Sequence, residues 1–117
     1  MSERRLLPTK RRSETLDFEF RGASYALTYS RFEDGRLAEL FIDHRHSEKM
    51  SHGLEPLSAD AKDAAVAVSI ALQYGAPAEA IRGAVNRNSD GTPTGLIGEV
   101  LDIILDGPLK EMRRSRR

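Results

Sequence analysis

The chain has 117 residues, no cysteine, no tryptophan, and 18 basic side chains against 18 acidic ones. The length suits one modest hydrophobic core, and the absence of thiols excludes cysteine nucleophiles, thiolate metal ligands and dithiol redox shuttling. The zero net charge hides an asymmetry, because residues 1–12 and residues 108–117 each hold five basic and one acidic residue while residues 13–107 hold eight basic against sixteen acidic.

Taken in order, residues 1–12 form a basic arm. Pro8 and the lack of periodicity predict an extended segment, suited either to phosphate contact on nucleotides or nucleic acid or to docking on the acidic body. From Thr15 the pattern alternates, with Leu16, Phe18 and Phe20 on one side and Thr15, Asp17, Glu19 and Arg21 on the other, which predicts a half-buried strand. Gly22-Ala23-Ser24 supplies a turn, and a second strand runs from Tyr25 to Phe32, rich in aromatic and β-branched residues. Glu33-Asp34-Gly35-Arg36 is a hairpin signal, because Asp-Gly accepts the positive φ angles of a tight two-residue turn. A third strand, Leu37 to Asp43, completes an antiparallel meander whose polar face would carry Asp17, Glu19, Thr28, Ser30 and Glu39.

Residues 44–57 are polar, hold all three histidines and contain Gly53 and Pro56, so a long connection is expected there. A helix from Asp60 to Gly75 follows, capped by Ser58 or Asp60. Its apolar residues fill so much of the circumference that burial on more than one side is expected, and Gly75 closes it. After Pro77 a second helix spans Ala78 to about Asn86, with Ala80, Ile81, Ala84 and Val85 as its stripe. The turn-rich stretch from Asn88 to Gly95 leads into a third helix, apolar at Leu96, Ile97, Val100, Leu101, Ile104 and Leu105 and polar at Glu99 and Asp102. Three strands followed by three helices predict an α+β fold, a three-stranded antiparallel meander with the helices packed on one sheet face. The expected organisation is a basic N-terminal arm (1–12), a single α+β domain (13–107) and a basic C-terminal tail (108–117). With no apolar h-region behind the first basic residues and no span of bilayer length, the expected setting is the cytoplasm, with no membrane contact.

Three groups of residues could carry chemistry. His44, His46 and His52, near Asp43, Glu48 and Glu55, offer imidazole and carboxylate ligands of the kind zinc, iron or manganese accept, although the spacing matches no zinc signature; solvated loop side chains are the simpler account. Thr92, Thr94 and Gly95 precede a helix N-terminus among glycines 91, 95 and 98, where backbone amides attract anions. Neither a Walker loop nor a dinucleotide fingerprint is present, and the plainer role is a helix–helix linker with Thr94 as N-cap. Arg11, Arg12 and Ser13, at the junction of arm and first strand, combine bidentate guanidinium donors with a hydroxyl, a set suited to phosphate. No Ser-His-acid set suggests a hydrolytic triad.

Several segments, in their order, resemble a known family. They are Leu7-Pro8, R-R-S at 11–13 with Thr15 and Phe18, E-D-G-R at 33–36, E-L-F-I at 39–42, S-I-A-L-Q-Y-G-A-P at 69–77 and G-T-P-T-G-L-I-G-E-V-L-D at 91–102. Together they resemble the TSCPD domain, the C-terminal accessory domain of cobalamin-dependent (class II) ribonucleotide reductases, which also occurs as short free-standing proteins. The likeness runs from about Leu7 to Leu105. The Thr-Ser-Cys-Pro-Asp motif is missing, and the segment after the third strand departs from the family's Lys/Gly/Ser-rich pattern, reading H-R-H-S-E-K-M here.

The resemblance implies a non-catalytic accessory module linked to deoxyribonucleotide synthesis, acting through a reductase or other protein partner or through nucleotide or nucleic-acid phosphate. The family's reductase chemistry needs a large catalytic barrel, cobalamin and redox cysteines. No catalytic residue carries over to this chain, and cobalamin is expected to belong to the full-length enzyme. The alternative, from another class, is a homodimeric protein-interaction domain without a small ligand, using the edges and polar face of its sheet.

Overall fold

The structure, a computed structural model, describes residues 3–8, 11–45 and 55–107. The elements are β1 (Glu14–Phe20), β2 (Ala23–Arg31), β3 (Leu37–His44), α1 (Glu55–Gln73), α2 (Ala78–Ala84) and α3 (Leu96–Asp106). This is the α+β order that the alternation and periodicity predict. The chain divides into two compact units, Met1–Pro77 and Ala78–Arg117.

In the first unit β2 is the central strand of an antiparallel sheet with order β1-β2-β3. Leu16 opposes Leu27 and Leu27 opposes Ile42 across the sheet; the next row is Phe18, Tyr25 and His44. Period-two alternation therefore sends Phe18, Tyr25, Leu27, Leu40 and Ile42 to one buried face. Thr15, Asp17 and Glu19 on the other face are exposed.

Both hairpin turns differ in detail from expectation. The first is the two-residue turn Arg21-Gly22, not 22–24, and both residues have positive φ, 52° and 81°. That is the sense of twist a tight hairpin requires. The second is a three-residue loop in which Phe32 N–H donates to Arg36 O (2.8 Å) and Gly35 N–H to Phe32 O (2.9 Å). Gly35, at φ 91°, takes the left-handed position that such a loop needs.

Helix α1 begins at Glu55, earlier than Asp60. Pro56 falls in its first turn, where the missing N–H would have had no intrahelical partner, so the proline is compatible with a helix start. Two residues beyond the helix, Gly75 has φ 107° and Ala76 N–H donates to Ala71 O (3.0 Å), the wrapped-back geometry of a Schellman end. α1 packs against β3 and buries Ala61, Ala65, Ser69, Leu72 and Gln73. It is not buried all round: Val66, Ile70 and Tyr74 are 48%, 38% and 43% exposed and repeat at i, i+4, i+8. Periodicity alone could not separate this outward stripe from the buried one, because alanines fill the positions between them.

In the second unit, α2 and α3 are joined by a loop that closes on itself through a bridge between Arg87 and Pro93. Ala80 and Ala84 of the anticipated α2 stripe are exposed, whereas Ala78 is buried. Glu99 and Asp102, expected on a polar face, are buried. Arg87 forks onto both oxygens of Asp102 (2.9 and 2.7 Å), and Arg82 joins α2 to α3 through Asp106 (2.6 Å). The bond to Asp102 holds the Arg87 guanidinium above its ordinary pKa.

Candidate functional site

The arm is docked on the first unit. Arg5 N–H donates to Gln73 O (2.7 Å), and Arg4 Nε to Gln73 Oε1 (2.6 Å). Arg5 Nη1 reaches Asp34 (2.8 Å) in the β2–β3 loop, and its guanidinium lies 4.0 Å from the centroid of the buried Phe32 ring, a cation–π contact. This holds Asp34 below the usual carboxylate range, first through the Arg5 bond and then through the Arg36 backbone N–H.

Arg11 makes the firmest attachment. Its Nε and Nη2 donate to the two oxygens of Glu39 (2.6 and 3.1 Å), and Nη1 donates to Pro8 O (2.8 Å). The hydrogen bond to Glu39 raises the Arg11 pKa above its ordinary value. Glu39 and Ser30, which alternation assigned to the solvent face, are buried. A charged residue is rarely buried without a partner, and Arg11 is the partner that permits it for Glu39.

Between the arm and the end of β2 lies a cavity of about 880 Å³. Its walls include Arg5, Arg11, Arg12 and Ser13 from the arm and its junction, and Tyr29 and Arg31 from β2. The structure thus brings together the predicted trio Arg11, Arg12 and Ser13, but in unequal roles. Arg11 is committed to Glu39, whereas Arg12 has no ion-pair partner among the described residues. Arg31 donates to Gly35 O (3.1 Å), lies 5.7 Å from the Tyr29 ring centroid and, among the described residues, has no carboxylate partner. The Tyr29 hydroxyl donates to Glu14; burial and then this bond raise the Tyr29 pKa. Tyr29 and Arg31 went unrecognised in the sequence because strand-end residues gain a role only once an arm folds over them. The available signal was an arginine beside an E-D-G turn.

The threonines of the loop trio bond within their own loop. Thr92 Oγ1 donates to Asp90 Oδ1 (2.6 Å) and accepts from Asn88 Nδ2 (3.0 Å), and Thr94 Oγ1 donates to Asn86 O (3.2 Å). Gly95, not Thr94, is the N-cap of α3, and no side chain caps it. Gly98 is demanded by packing, since a Cβ there would sit 2.7 Å from Pro93 Cβ and 3.3 Å from Val85 Cγ2. These exposed bonds hold the two hydroxyls within the linker itself.

Of the histidine group, His46 and His52 lie outside the described residues, as does the basic tail 108–117. The His44 ring packs at 5.5 Å, tilted, against Tyr25. Among the described residues no group of three or more His, Cys, Asp or Glu side chains could hold a metal ion, and no helix is long and apolar enough to cross a membrane.

Comparison with known proteins gives one informative likeness. Over 77 residues, 66% of this chain, the sequence is 36% identical to part of a vitamin B12-dependent ribonucleotide reductase from Bradyrhizobium diazoefficiens. The chain spans 6% of that relative's length. No family model matches the chain, and no solved structure matches it. The sequence is therefore linked to a small segment of a B12-dependent ribonucleotide reductase.

Proposed function

We propose that the chain is a non-catalytic accessory module of the TSCPD kind, serving deoxyribonucleotide synthesis beside a cobalamin-dependent reductase and binding a phosphate-bearing ligand through Arg12 and Ser13. The observation that carries this reading is the cavity under the docked arm, where an arginine without a carboxylate partner among the described residues stands next to a hydroxyl. A guanidinium matches phosphate oxygens in both charge and geometry. The 77-residue likeness to a reductase segment supports the metabolic setting. The cavity's described lining holds four arginines and no imidazole, a donor set suited to an anion rather than to a corrin, so in this reading cobalamin stays with the full-length enzyme.

Two measurements test the reading. Calorimetry with pyrophosphate and nucleotides should give saturable heat that Arg12→Ala abolishes, and a tagged chain should retain the reductase in a pull-down. Silence in both would sink it.

A second reading has one specific observation in its favour. The exposed Val66, Ile70 and Tyr74 stripe of α1 would suit a homodimeric interaction domain without a small ligand. Light scattering decides here: a dimer that persists on dilution and is lost in Ile70→Lys supports it, and a monomer at all concentrations refutes it.

A further inference from the structure

The arm cavity has two walls of different origin, Arg12 and Ser13 on the arm side and Arg31 at the end of β2 on the sheet side. The other two arginines in its lining already have carboxylate partners: Arg5 holds Asp34 and Arg11 holds Glu39. Arg12 and Arg31 are exposed and, among the described residues, lack such partners. Of the two glutamates in the lining, Glu14 accepts the Tyr29 hydroxyl, and Glu33 is exposed.

We infer that this cavity is a two-sided clamp for one small phosphate-bearing anion, held between Arg12 on the arm and Arg31 on β2, and that occupancy fastens the arm to the sheet. The inference rests on the phosphate-binding reading and adds three things to it: a further binding residue, a ligand class and a consequence. The ligand is a compact mono- or diphosphate rather than a nucleic-acid strand. A volume of about 880 Å³ is in the range of small-molecule sites. A strand, by contrast, needs a basic track that meets successive phosphates, and the body that flanks this cavity is acidic, with sixteen acidic against eight basic residues over 13–107. The fastening follows from linkage: an anion that binds both walls binds the docked arm better than the undocked one, so it must favour docking by the same factor.

The Arg5 amide reports docking directly, since it donates to Gln73 O at 2.7 Å. The experiment combines calorimetry on the full chain with hydrogen exchange at that amide, using pyrophosphate, a nucleoside monophosphate and a twelve-nucleotide single strand as probes. Arg31→Ala and Arg12→Ala are compared with Arg45→Ala, whose side chain pairs with Asp17 away from the cavity. Arg31→Ala and Arg12→Ala should each weaken pyrophosphate binding by tenfold or more while Arg45→Ala leaves it unchanged, and saturating pyrophosphate should slow Arg5 exchange severalfold. Loss of binding in Arg12→Ala with full binding in Arg31→Ala would overturn the clamp and leave the phosphate reading standing, as would a strand that binds more tightly than the small anions. Unchanged Arg5 exchange at saturation would overturn the fastening. No heat with any probe would overturn the clamp and the phosphate reading together.

Discussion

The Ser69 hydroxyl sits 2.9 Å from Leu40 N and 3.0 Å from Leu40 O, so one side chain of α1 meets both backbone groups that β3 turns away from β2. The hydroxyl accepts the Leu40 N–H, and its own proton goes to Leu40 O or to Ala65 O at 2.8 Å. Four residues later, one helical turn on, Gln73 Nε2 donates to Ala38 O (3.2 Å). The edge of β3 is thus closed by helix side chains where another strand would otherwise pair.

Replacing that hydroxyl should be costly because both partners are buried. Ser69→Ala leaves the Leu40 N–H without its acceptor, which costs about 1–3 kcal/mol. A denaturant melt should show a lower midpoint with an unchanged slope.

The Arg11–Glu39 pair should respond asymmetrically to truncation. Glu39 is the more buried partner, its side chain 7% exposed against 33% for Arg11. Arg11→Ala leaves a carboxylate buried without its cation, whereas Glu39→Ala leaves a guanidinium that water can reach. The expected order of melting temperature is wild type, then Glu39→Ala, then Arg11→Ala, and both variants should speed amide exchange at residues 11–13.

Arm docking at the β2–β3 loop should weaken in acid. The Arg5 and Arg36 bonds hold Asp34 below its unfolded-state pKa, so their contribution is fully present above the unfolded value and is lost as pH falls through the lower folded one. Arg5 amide exchange, corrected for its intrinsic pH dependence, should therefore accelerate below the ordinary carboxylate range. Asp34→Asn should remove that acid-dependent step.

Gly98→Ala tests whether this glycine in the first turn of α3 serves packing. With Pro93 Cβ at 2.7 Å from the new methyl, overpacking should cost about 1–3 kcal/mol. A variant as stable as wild type in a thermal melt would show that the loop yields easily.

One substitution should stabilise. Arg21 holds a φ of 52° in the first hairpin, a left-handed conformation that costs a side chain with a Cβ about 1–2 kcal/mol and suits asparagine better. Arg21→Asn should raise the melting temperature, less whatever the Arg21 guanidinium gains over the Phe20 ring at 5.3 Å.

Particular residues show what the sequence could reveal. Phe18, Tyr25, Leu27, Leu40 and Ile42 alternate, and the strands and their buried face followed from that spacing. Gly75 and Gly35 marked a helix end and a turn because positive φ has few other occupants. Glu39 and Ser69 could not be placed in this way. Glu39 falls at a polar position by alternation and Ser69 is a hydroxyl on an otherwise apolar stripe, and each is buried with a polar partner distant in sequence, Arg11 or the Leu40 backbone. Asp102 repeats the case through Arg87. The candidate site was legible at Arg12 and Ser13 and invisible at Arg31, since its far wall exists only after the arm has crossed the sheet.

The bidentate fork between Arg11 and Glu39 also changes how the molecule appears from a distance. By composition the arm is a cationic rod, yet two of its guanidiniums face carboxylates at 2.6 and 2.8 Å. Beyond a Debye length, about 8 Å at physiological ionic strength, each such pair presents a dipole whose field decays much faster than that of a bare charge. The docked arm is therefore a poor lure for passing polyanions, and adding salt should slow capture of the proposed small anion far less than the count of arginines would suggest.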